Sequence, residues 1–133
     1  MILDDSRLLY SDDYRWGWKW GFQAIGCEIK VMDISELRKG LSHGGGGGPL
    51  SMGRNMAAKP LGDMVANWEP DLVFAHHGRA ASNRMFQERL KARGMRTACY
   101  LCDEPYETGE TASYSPIFDI VFTMDPCTVE VHR

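Results

Sequence analysis

Short apolar runs alternate with amphipathic stretches along this chain, and the alternation predicts strands and helices in turn. Residues 1–3 read as the end of a short apolar strand, followed by a polar loop over 4–13. A helix is expected over 14–25, because Trp18, Phe22 and Ile25 fall at i, i+4 and i+7 on one face, with Gly26 as its stop. Residues 28–33 read as a second strand and 35–41 as a short helix or turn. Leu61, Met64, Val65 and Trp68 then form an amphipathic stripe that Pro70 ends. Leu72-Val73-Phe74-Ala75 is continuously apolar, the mark of a strand buried on both faces. Ser82 suits the N-cap of the following helix, which carries Phe86 and Leu90 and stops at Gly94. Residues 97–101 and 120–122 read as further strands, and 104–116 as mostly polar loop with room for one helical turn. Pro126 suits the first turn of a last helix.

Strands alternating with helices imply a parallel sheet with right-handed crossovers. The expected fold is therefore α/β: one three-layer, Rossmann-like domain over residues 1–133, with a parallel sheet of about five strands. Asp71-Leu72-Val73-Phe74 and Asp119-Ile120-Val121-Phe122 enter their strands alike, a recurring local solution and not a long repeat. A glycine-rich loop is expected over 42–58, where His43 is followed by Gly44 to Gly48 and Pro49. As a flexible linker the glycine run spans about 12 Å on average, outside any core element.

A length of 133 residues suits one domain with a real core. The net charge of −3 and the lack of a basic run argue against nucleic-acid binding by phosphate neutralisation, and against a membrane-surface helix. No apolar stretch approaches the roughly 20 residues of a membrane span. Asp4 and Asp5 follow the start at once, unlike a signal peptide, so a cytoplasmic location is expected. The cysteines, Cys27, Cys99, Cys102 and Cys127, are spread too thinly for a secreted disulfide framework.

In an open parallel sheet, ligands sit outside the carboxyl ends of the strands. Those ends carry Asp4-Asp5, Asp33, His76 to Arg79, Asp103 to Tyr106, and Thr123 to Asp125. Acidic residues there also serve as turn formers and helix caps, so each alone is ambiguous. His76-His77-Gly78-Arg79 is the strongest segment. Gly78 permits a sharp turn, the next helix start offers N–H groups, and Arg79 adds fixed charge, which together suit a phosphate or carboxylate. A neighbouring histidine titrates near neutrality and suits a general base. The bland alternative is one buried, hydrogen-bonded histidine and one solvated one. Cys99 and Cys102 lie along a strand, where residues three apart face opposite sides, and no second pair completes a zinc site. They read as inert thiols. Within Tyr14 to Trp20, Trp16 and Trp20 share a helix face while Trp18 lies nearly opposite. One indole face is then either a platform for a ring or packed under loops, with Arg15 near the helix start. There is no G-x-G-x-x-G after the first strand, no P-loop and no D-x-D, and no metal site is expected. A phosphoacceptor receiver needs an aspartate at the third strand's end, where His76 stands.

The runs Pro70 to Arg79, Asp103-Glu104-Pro105-Tyr106-Glu107, and Phe118 to Asp125 with Thr128-Val129 and His132 resemble the CgeB-like glycosyltransferases, the group named for a spore maturation protein. Trp16 to Lys19 and Gly26-x-Glu28 are in keeping, and the likeness spans most of the chain outside residues 41–59. It implies the N-terminal, acceptor-side half of a GT-B enzyme. In such enzymes two Rossmann-like domains face a cleft, and the C-terminal one holds the nucleotide-sugar. That donor domain has no counterpart in this sequence, which puts turnover by the chain alone in doubt. The resemblance implies a nucleotide-sugar as donor substrate, an acceptor hydroxyl, and no further cofactor. His76 or His77 is the expected base, with Asp103 or Glu104 as the rival. Asp5, Arg15, Trp16, Gly78, Arg79, Tyr106 and Asp125 are the expected ligand contacts.

Two other readings stand beside it. One is a non-catalytic module that binds a small anion or nucleotide at the same strand ends. The other is an interaction domain, with a homodimer left open by the tryptophan cluster and an exposed sheet edge.

Overall fold

A computed structural model describes residues 2–4, 11–33, 65, 67–76, 81–82, 84–102 and 104–133, with backbone alone at 3–4, 11–16, 33 and 85. The strands are β1 (Ile2–Asp4), β2 (Val31–Asp33), β3 (Leu72–Ala75), β4 (Arg96–Leu101) and β5 (Ile120–Thr123). The helices are α1 (Ser11–Ala24), α2 (Arg84–Ala92) and α3 (Thr108–Tyr114). Short 3-10 helices cover Ser115–Ile117 and Pro126–His132. The expected helix or turn at 35–41, the glycine-rich loop at 42–58, and Leu61 and Met64 of the stripe lie outside the described residues.

The strands pair in the order β2-β1-β3-β4-β5, and every pairing is parallel. Side chains alternate across a strand, so each central strand feeds two cores. On one face Val73, Ala75, Cys99 and Leu101 pack with Phe86 and Leu90 of α2, with Val65, and with Tyr114 and Phe118. On the other, Ile2, Phe74 and Ala98 meet Trp18 and Phe22 of α1. The expected α/β class with a parallel sheet and flanking helices is observed, and its likeness to a Rossmann-like fold is coarse.

Helix ends follow the glycines. Gly26 (φ +86°) and Gly94 (φ +76°) hold left-handed backbone after α1 and α2. The next amides, of Cys27 and Met95, reach back to the carbonyls of Phe22 and Leu90 at 3.0 and 3.1 Å, closing the last turns. Asp119 has a comparable role at a strand start. Its Oδ2 accepts from the Thr97 amide at 2.7 Å and the Thr97 hydroxyl at 3.0 Å, and Lys91 stands 3.4 Å from Oδ1. Partial burial raises its carboxyl pKa, but the Thr97 bonds and the Lys91 charge outweigh that and leave it below the ordinary aspartate value.

Several elements differ from expectation. The helix begins at Ser11, inside the expected loop, because Ser11, Asp12 and Asp13 are residue types that favour a helix start. The second strand starts at Val31, not residue 28, and pairs with β1 over three positions. The expected loop at 104–116 holds α3 and a 3-10 turn. The last helix is 3-10, capped by Asp125, whose Oδ1 accepts from the Cys127 amide at 2.8 Å. Edge strand β5 exposes Ile120 and Phe122, with Met124 just beyond, at alternate positions.

Candidate functional site

Because all strands run the same way, their carboxyl ends share one edge. His76 follows β3 directly, Cys102 and Glu104 follow β4, and Met124 and Asp125 follow β5. At β1 the strand order turns, with β2 on one side and β3 on the other. In doubly wound sheets this is where a crevice opens for a ligand.

His76 is 2% exposed, on the α1 side of the sheet. Its ring lies nearly parallel to Tyr100 of β4, 6.4 Å between centroids. Tyr100 in turn meets Trp18 edge-on at 5.3 Å. His76 therefore takes the buried position of the histidine pair. A ring this enclosed is held in place, but a substrate reaches it only if the edge opens. His77, Gly78 and Arg79 lie outside the described residues, as do Asp5 and Asp103. Arg15 and Trp16 lie on α1, with only their backbone described.

Glu104 is turned inward, not toward the edge. Its carboxylate accepts hydrogen bonds from the hydroxyls of Thr108 and Thr111. Oε1 also lies 3.3 Å from His132 Nε2, off the line of a straight N–H···O bond. His132 Nδ1 is 2.9 Å from Ser115 Oγ. Apolar and hydrogen-bonded surroundings leave no face of this carboxylate open to solvent, its side chain being 0% exposed. Of the four proposed acid–base residues, then, the described pair, His76 and Glu104, are both buried.

The same turn lifts Tyr106 into solvent at 93% exposure. Asp125 caps the C-terminal 3-10 helix and is half-buried, so its carboxylate has a structural duty. Trp18 packs into the sheet while Trp20 stays 64% exposed, so the opposed indole faces do separate.

Sequence reasoning missed Ser115, and met His132 only through the family likeness. A signal was present. Glu104, Thr108, Thr111 and Ser115 fall at i, i+4, i+7 and i+11, a polar stripe at the helical period.

Cys99 is fully buried, and burial pushes its thiol up to about 12, which leaves almost no thiolate at neutral pH. Cys27 and Cys127 are exposed. Brief alkylation of the native chain is expected to label Cys27 and Cys127 and to spare Cys99 until denaturant is added. Peptide mass spectrometry reads the pattern, and early labelling of Cys99 would contradict its place in the core.

Among the described residues, no group of three or more histidine, cysteine, aspartate or glutamate side chains is arranged to hold a metal ion. No described helix is long and apolar enough to cross a membrane. Comparison with family models, curated proteins and solved structures gives no match.

Proposed function

We propose that the carboxyl edge of the sheet is the acceptor side of a glycosyl-transfer site of the GT-B kind. One observation carries the reading: the strand order turns at β1 beside the histidine segment that follows β3. In the reaction, a histidine takes the proton of an acceptor hydroxyl. The freed oxygen bonds to the anomeric carbon of a nucleotide-sugar, and the sugar–phosphate bond breaks with its electron pair leaving on the nucleotide. The enclosed ring of His76 suits positioning, and His77 is then the base. Arg79 balances an anionic group, and Tyr106 offers a ring for stacking against a sugar face.

A second reading keeps the same edge as a binding site without turnover. A third draws on the exposed Ile120, Phe122 and Met124, which suit a surface that meets a second copy.

Calorimetry and a transfer assay with a panel of nucleotide-sugars and sugar acceptors separate the first two. Acceptor binding is expected, with product formation where the donor half is also supplied, and His77→Ala is expected to lower that transfer rate about 100-fold or more while leaving acceptor binding within a few-fold. Binding without transfer would favour the module. No heat from any ligand would remove both.

A further inference from the structure

Three segments within the C-terminal 30 residues meet in one buried polar chain. Glu104 lies in the turn after β4, Ser115 follows α3, and His132 ends the C-terminal 3-10 helix. The imidazole bridges the other two, with Nδ1 2.9 Å from Ser115 Oγ and Nε2 3.3 Å from Glu104 Oε1. Ser115 is fully buried, and the His132 and Glu104 side chains are 3% and 0% exposed. Among the described residues, His132 is the basic side chain that stands beside the Glu104 carboxylate. A buried carboxylate needs both its hydrogen bonds and a counter-charge. The turn that carries His132 also closes one side of a cavity of about 460 Å³ against β5, lined by Ser115, Val121, Thr123 and Val129.

We propose that Ser115–His132–Glu104 is a latch that couples the C-terminal turn to the loop after β4. Drawing residues 126–132 away from β5 takes the imidazole out of the chain. Glu104 then loses its partner, and the loop that presents Tyr106 at the carboxyl edge loosens with it. The turn and the ligand edge are thus one mechanical unit, even though they lie on different parts of the fold. This coupling does not depend on what the edge binds.

Hydrogen exchange of the full chain, read by mass spectrometry, tests it with His132→Gln and Ser115→Ala. Each variant is expected to speed exchange at residues 104–114 and 126–132 by about tenfold more than at β3. A change confined to 126–132 overturns the coupling. An equal rise at β3 also overturns it, because the group would then serve general packing. Should His132→Gln fail to fold, Ser115→Ala decides by the same comparison, since it removes one oxygen and keeps the imidazole and the carboxylate.

Discussion

Phe74→Ala is expected to cost about 3–5 kcal/mol of folding stability, read as a fall in the urea midpoint at unchanged slope. Phe74 is 1% exposed, in the strand that pairs with both β1 and β4. Its ring lies 4.7 Å from Trp18 and 5.4 Å from Phe22, two α1 residues that reach the sheet core. Phe122 of β5 stands 6.4 Å away on the same face. Removing the ring therefore leaves a cavity walled by rigid aromatic groups, which cannot collapse to fill it, and this places the cost toward the upper end of the range. A domain of this size has about 5–15 kcal/mol in total, so the variant loses a large fraction. Trp20→Ala removes a larger ring from the same helix, one that is 64% exposed, and is expected to cost no more than about 1 kcal/mol. Equal effects from the two would mean that α1 is not docked through Phe74.

What the sequence makes legible here depends on which side chains face the core. Leu72 to Ala75 is apolar at every position because both faces are covered, and the observed strand has the expected limits. Gly26 and Gly94 mark helix ends because the left-handed backbone there favours glycine. α3 exceeds the single turn expected within 104–116, and its buried side mixes Tyr114 with polar Thr111. Thr111 and Ser115 turn hydroxyls, not methyl groups, toward Glu104 and His132, so a search for apolar periodicity finds little. Asp125 and Pro126 signal a helix start, but nothing in them sets the pitch that follows, which is 3-10. The candidate site was legible in location and less so in detail. Strand polarity fixes the edge, but residue type alone does not reveal that Glu104 points inward while Tyr106, two positions on, points out.

That inward carboxylate makes Glu104→Ala the second substitution of large effect, expected at about 3–5 kcal/mol in the same denaturation assay. The change removes the carboxylate that accepts from the Thr108 and Thr111 hydroxyls and that stands beside His132. The threonines retain backbone acceptors, Thr108 at the Pro105 carbonyl and Thr111 at those of Glu107 and Thr108. What remains unrelieved is the loss of the carboxylate 3.3 Å from His132 Nε2, a buried nitrogen that has no hydrogen-bond partner. Glu104→Gln separates shape from charge. The amide keeps the volume and one accepting oxygen, so it is expected to cost about 1.5–3 kcal/mol, the worth of a hydrogen bond to a charged group. A glutamine variant as damaged as the alanine one would show that the negative charge facing His132 outweighs the hydroxyl bonds. An alanine variant within about 0.5 kcal/mol of the parent would instead place Glu104 at the surface, with its carboxylate available at the ligand edge as an acid or base.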